Sequence, residues 1–145
     1  MEPYQFLIYL AGFFDGEGSV AVYRRNAGDK KGYCLRVQLT QNVTKDSTIL
    51  FNKIREYFDV SLNIQDTLSG NKKYNAALSG DKAANFLQQI KSHLFLKKEQ
   101  VKVALDWHLS KPKRERDPKG RIKPFEKEYF DRSEDIVNKL KSLKR

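Results

Sequence analysis

Leu10-Ala11-Gly12-Phe13-Phe14-Asp15-Gly16-Glu17-Gly18 is the stretch that decides how this chain is read. It ends an apolar run that starts at Phe6, and Pro3 stands where a proline can open a helix, so Tyr4 to Phe14 is expected to be helical and closed by Gly16 and Gly18. Phe6, Leu7, Ile8, Tyr9, Leu10, Phe13 and Phe14 cover nearly the whole circumference of such a helix, which points to burial on several sides rather than along one stripe. Three unusual demands coincide here: small residues at Ala11 and Gly12 among bulky ones, glycines at Gly16 and Gly18, and two acids two positions apart at Asp15 and Glu17. Small residues let backbones approach, and glycines permit a tight exit that aims a carboxylate away from the helix end. One helix can therefore serve both association and chemistry.

Outward from this segment the hydrophobic period changes. Ser19 to Arg25 and Tyr33 to Gln41 alternate, with Val20 and Val22, then Leu35, Val37 and Leu39, on one side, which predicts a hairpin joined across 26–32. An amphipathic helix is expected from about Asp46 to Tyr57, a second strand pair at 60–65 and 72–78 turning through Ser69-Gly70-Asn71, and helices at 81–90 and about 96–110. The order is αββαββα, an α+β fold with one four-stranded antiparallel sheet and helices on one face. Beyond Ser110, a basic, proline-containing segment leads into helical spacing over Phe125 to Leu143, an additional C-terminal helix.

The 145 residues suit one domain, and the net charge of +10 calls for a polyanionic partner. Nucleic acid fits better than a membrane, because the apolar run Phe6 to Phe14 is less than half of the roughly 20 residues a spanning helix needs. No basic leader precedes that run, so an intracellular protein is expected, with organelle and prokaryotic cytoplasm not distinguished. Cys34 is the one cysteine, which excludes an intrachain disulfide and a cysteine-based zinc site and reads as a small strand residue. His93 and His108 have no ligand spacing and receive no role.

The nonapeptide resembles the motif of the LAGLIDADG homing endonucleases, and the element order is similar to theirs over roughly residues 3 to 110. Residues 1–110 are accordingly read as the LAGLIDADG-type domain, and 111–145 as a basic segment and helix packed on it. The resemblance, of the single-motif type, implies that Glu17 binds a divalent metal, Mg²⁺ or Mn²⁺, together with the Gly16 carbonyl, while the helix pairs with its twin across a homodimer axis through Ile8, Ala11, Gly12 and Phe13. It also implies metal-dependent hydrolysis of both strands of a long, nearly palindromic double-stranded DNA target, leaving 3′ overhangs. Glu stands at position 17 where Asp is commoner in the family, which moves the carboxylate by one methylene without abolishing ligation. Gln41 matches in placement the family's water-positioning glutamine, and Lys97 or Lys98 its basic residue near the scissile phosphate. Asp15 is expected instead to accept hydrogen bonds from backbone amides near the helix end.

Physical reasoning supports Glu17 independently. Phosphodiester hydrolysis needs an activated water and a stabilised leaving oxygen, which a hard cation on carboxylate oxygens supplies. One carboxylate per subunit is too few, so a single motif demands a dimer. Strand parity places Ser19, Ala21, Tyr23, Arg25, Arg36, Gln38, Ser61, Asn63, Gln65, Thr67, Lys73 and Asn75 opposite the core, a polar, basic face that suits the major groove. Lys111 to Lys123 would add phosphate contacts. Two other classes compete: a non-cleaving binder on the same fold, either a maturase acting on intron RNA or a DNA-binding regulator, and a structural dimerisation protein, which leaves the charge and the acid unexplained.

Overall fold

The computed structural model describes residues 1–26 and 32–144. Its elements are α1 (Pro3–Glu17), β1 (Gly18–Arg25), β2 (Gly32–Asn42), α2 (Lys45–Tyr57), β3 (Ser61–Asp66), β4 (Lys72–Ser79), α3 (Asp81–Ile90), α4 (Lys98–Ser110) and α5 (Lys127–Leu143). The connection expected at 26–32 falls largely on 27–31, outside the described residues. The strands form one antiparallel sheet in the order β1-β2-β4-β3, as the αββαββα reading requires.

Alternation builds the core. Val20 lies opposite Val37, and Val37 opposite Leu78, while Leu39 lies opposite Gly18 on one side and Ala76 on the other. Val20, Leu35, Val37, Leu39 and Ala76 are fully buried, and the helices lay Phe14, Phe51, Phe86 and Trp107 against them. Burying each of these rings contributes roughly 1.5–3 kcal/mol. A reciprocal cap starts α2, in which Thr44 Oγ1 accepts from the Ser47 amide (3.0 Å) and Ser47 Oγ accepts from the Thr44 amide (2.8 Å). Ile64 departs from the pattern: on the face of β3 that alternation with Ser61, Asn63 and Gln65 turns toward the core, it is 57% exposed on the edge strand. Its cross-strand partner Tyr74 stacks on Phe51 of α2 at 5.2 Å, so the aromatic pair stops short of covering the edge.

The end of α1 also differs from expectation. The helix runs on to Glu17, and neither Gly16 nor Gly18 takes a positive φ. Gly18 is needed for packing, because a Cβ there would collide with the Phe14 ring.

The segment after α4 is folded rather than simply extended. Arg116 and Ile122 form an antiparallel bridge, the Asp117 amide donates to the Arg121 carbonyl (2.7 Å), and the Lys123 amide to the Glu115 carbonyl (2.8 Å). Gly120, at φ +80°, makes the turn. Beyond it, α5 lies against α4 and the β1–β2 hairpin. Tyr129 Oη accepts from the Tyr33 amide (2.9 Å), Tyr33 Oη donates to Glu134 (2.6 Å) and Trp107 Nε1 donates to Ser133 Oγ (3.0 Å). Burial, reinforced by the Glu134 hydrogen bond, pushes the Tyr33 phenol up to about 12.

Candidate functional site

The last turn of α1 carries Asp15 and Glu17 but no basic residue of its own. Negative side chains at a helix C-terminus oppose the macrodipole, and the last four carbonyls of a helix, Gly16 among them, have no intrahelical amide to accept from beyond the cap. Two cationic partners would relieve this: one from the chain and one from outside it. The chain supplies Lys97, whose Nζ donates to the Asp15 carbonyl at 2.5 Å. The Glu17 carboxylate is exposed and has no ion pair among the described residues. Carboxylate and carbonyl oxygens are a donor set suited to a hard divalent cation. Among the described residues of one chain, no cluster of three or more histidine, cysteine or acidic side chains surrounds it.

Asp15 ties the site together. It is only 8% exposed, and its carboxylate accepts from the Phe95 amide (Oδ2, 2.8 Å) and the Lys97 amide (Oδ1, 3.0 Å). The amides lie some 80 positions away in sequence, in the segment leading into α4, so the acid joins two distant elements rather than capping its own helix. This geometry also separates the two lysines. Lys97 is half-buried and reaches the end of α1, whereas Lys98, the first residue of α4, is exposed and makes no contact with it. The structure thus brings Lys97 to the end of α1 and leaves Lys98 pointing elsewhere, since one residue along a helix start turns a side chain by about 100°.

Gln41, next to last in β2, lies at the same end of the sheet, two residues past Leu39, which pairs with Gly18. Its Oε1 accepts from the Asn42 amide at 2.9 Å. Lys144, just after α5, carries no sequence signal for a place near the site. Desolvation, and secondarily the charge of Lys97, lowers its affinity for a proton.

On the open face of the sheet, Ser19 lies opposite Gln38, Gln38 opposite Ala77 and Ala77 opposite Ser61; Ala21 lies opposite Arg36, and Tyr23 opposite Cys34. Asn75 pairs with Asn63, and Lys73 with Gln65, while Arg25 closes β1. Thr40, opposite Asn75, belongs to the same row; the parity that selects Arg36 and Gln38 reaches it as well. Two positions differ from the strand-parity reading. Asn75 is buried, at 5% exposure, because it sits mid-sheet between the side chains of Thr40 and Asn63, and its Oδ1 has no hydrogen-bond partner there. Thr67 lies beyond β3 in the turn, its hydroxyl donating to the Asn71 carbonyl at 2.8 Å.

The other face of α1 bears on association. Ile8 is 44% and Tyr9 48% exposed, and Phe13 is half-buried. At Gly12 and Gly16, one turn apart, an added Cβ would meet nothing within 4 Å. Their smallness answers to nothing among the described residues. Ala11 is the exception in the expected interface: it is fully buried in its own subunit, about 100° around the helix from Gly12, and cannot touch a partner.

The LAGLIDADG endonuclease family profile matches residues 10–108. No curated protein sequence matches the chain. Among solved structures, the fold is similar to the homing endonuclease I-CvuI in complex with its target, with a TM-score of 0.70 and 16% identity over 97% of this chain and 82% of that one. It is also similar to the archaeal intron-encoded homing endonuclease I-Vdi141I complexed with DNA, at 0.63 and 16% over 98% and 86% of the two chains. A third likeness is to the LAGLIDADG homing endonuclease I-GzeII in complex with a DNA target, at 0.56 and 20% over 71% and 35%. These likenesses speak to the fold. Because the matched profile runs from the acid-bearing end of α1 almost to the end of α4, it takes in every element that positions Glu17 and Lys97, and the chain belongs to the LAGLIDADG endonuclease family.

Proposed function

We propose that the chain acts as a homodimer that hydrolyses both strands of a specific, long and nearly palindromic DNA duplex in a divalent-metal-dependent reaction, leaving short 3′ overhangs. One observation carries this reading: an exposed Glu17, without an ion pair among the described residues, stands at the end of a helix whose Gly12 and Gly16 are open to the outside. Pairing two such helices through Ile8, Gly12 and Phe13 brings two Glu17 side chains to a two-fold axis, and a two-fold protein reads a pseudo-palindromic site.

The Glu17 carboxylate and Gly16 carbonyl of each subunit would hold Mg²⁺ or Mn²⁺, which when bound activates water and neutralises the leaving oxygen. Gln41 orients water at the edge of this site. Lys97, released from the Asp15 carbonyl as DNA arrives, offers its ammonium to the scissile phosphate, while the Asp15 carboxylate keeps the Lys97 backbone in place. Arg36 and Gln38 on β2, with Ser19, Tyr23 and Asn63 around them, read base edges, where arginine pairs with guanine and amides with adenine.

Selection of a cleaved duplex from a randomised library in Mg²⁺ tests the proposal. Paired cuts on opposite strands, abolished by a chelator, are expected. A protein that binds its selected duplex tightly but never cuts it would instead be a regulator or an intron-RNA maturase.

A further inference from the structure

Between α4 and α5, residues 111–124 carry seven cations, Lys111, Lys113, Arg114, Arg116, Lys119, Arg121 and Lys123, against two acids, Glu115 and Asp117. It is a built element. The Asp117 carboxylate accepts from the Lys119 amide (2.9 Å), the Arg121 amide (2.8 Å) and Arg121 Nε (3.0 Å), and Arg116 donates to the Gly120 carbonyl (2.8 Å). The acid faces into the turn, its side chain 23% exposed, while that of Arg121 is 72% exposed. A surplus of positive charge is therefore displayed on a fixed frame, with the exposed Glu115 carboxylate 4.0 Å from Lys123 as the acid on its outer side.

The base of this hairpin is also fixed. The Arg114 guanidinium lies 4.6 Å from the Phe125 ring centre, and Phe125 stacks on Tyr129 at 4.0 Å. The Phe125 ring comes within 3.2 Å of where a Cβ on Gly32 would stand. Gly32 pairs with Arg25, at the end of the β1–β2 ribbon opposite to Gly18 and Glu17. The seven steps from Gly18 to Arg25 rise about 23 Å at roughly 3.3 Å each. Along a duplex, at roughly 3.4 Å per base pair, that is about 7 base pairs.

Resting on the DNA-cleaving reading above, we infer that the 115–123 hairpin is an outrigger for the DNA backbone, gripping phosphates about 7 base pairs or more outward from the cut on each side. It adds affinity and sets the length of duplex the dimer needs, without reading bases.

The test compares two forms of the library-selected duplex, one ending about 6 base pairs from the cut on each side and one extending about 14. The parent should bind the longer form at least tenfold tighter at roughly 0.1 M salt, with a steeper salt dependence. Changing Arg116, Lys119, Arg121 and Lys123 to Gln should abolish that gain, flattening the slope of log affinity against log salt by about 0.9 for each phosphate that is no longer neutralised. Lys119→Gln with Lys123→Gln, which spares the Asp117–Arg121 pair, should remove part of it with the turn intact. Equal binding of both duplexes by the parent, or an equal loss on both duplexes in the variants, would overturn the outrigger while leaving the endonuclease reading in place. A parent that binds no duplex would overturn both.

Discussion

α1 and α5 are both rich in aromatic and aliphatic residues, yet they use them in opposite ways. α5 directs Tyr129, Ser133 and Leu140 into its own chain, with Phe130, Ile136 and Val137 flanking them, and hydrogen bonds donated by Tyr33 and Trp107 to Tyr129, Glu134 and Ser133 lock it down. α1 buries Phe6, Leu10, Ala11 and Phe14 but leaves Tyr4, Ile8 and Tyr9 exposed beside two bare glycines. A helix that completes its burial within the chain is there for stability; one that leaves an apolar, glycine-lined face open is shaped for something else. Substitutions in α1 should therefore damage assembly and chemistry, and those around α5 should damage stability alone.

The largest expected effect is at Glu17. Glu17→Gln keeps size and hydrogen-bonding capacity but removes the charge that holds a cation, so cleavage should fall by about three powers of ten or more while target affinity without metal survives. Cutting near the parent rate would remove chemistry from α1 altogether. Gly12→Leu should come next, separating the paired helices and shifting the protein from dimer to monomer in sedimentation at micromolar concentration. A dimer that persists and cuts would move the interface to another surface.

Asp15→Asn tests the joint between the two halves of the site. It should cost roughly 1–3 kcal/mol in urea unfolding, because two amides lose a charged acceptor. Single-turnover cleavage should slow about tenfold at saturating protein as Lys97 loses its backbone anchor; a stability loss with an unchanged single-turnover rate would reduce Asp15 to scaffolding. In α5, Ser133→Ala strands the buried Trp107 Nε1 and should cost about 1–2 kcal/mol with no change in cleavage below the melting temperature. A fall in cleavage at that temperature would blur the contrast between the helices.

The smallest effect is a pH dependence. Tyr33 holds its proton up to about 12 in the folded chain but to about 10 when unfolded, so its contribution to stability is complete below pH 10 and is lost as pH rises from 10 towards 12. Tyr33→Phe should flatten that decline relative to the parent in thermal melts; identical profiles would show that Tyr33 does not titrate differently on folding.

The sheet and its helices were legible because their signals are local. Valine and leucine at every second position of β1 and β2 can satisfy only one pleat, and the row they leave opposite follows with them. The place of Glu17 at an exposed helix end was legible for a related reason: Gly16 and Gly18 mark the end of α1 on both sides of it. The 115–123 turn was harder to see, since its hydrogen bonds depend on Asp117 folding inward against Arg121, and alternating prolines and cations are equally compatible with an extended strand.

By itself the sequence determined the αββαββα order, the acid at the end of α1 and the surplus of positive charge, all of which follow from periodicity and composition within a few residues of one another. Only the tertiary structure decided which lysine reaches the end of α1, that Ala11 belongs to the core and Gly12 to the outside, and that Asn75 is covered. Each of these turns on contacts between segments tens of residues apart, as when the Asp15 carboxylate binds the amides of Phe95 and Lys97, and no local pattern encodes which of two adjacent side chains such a contact will select.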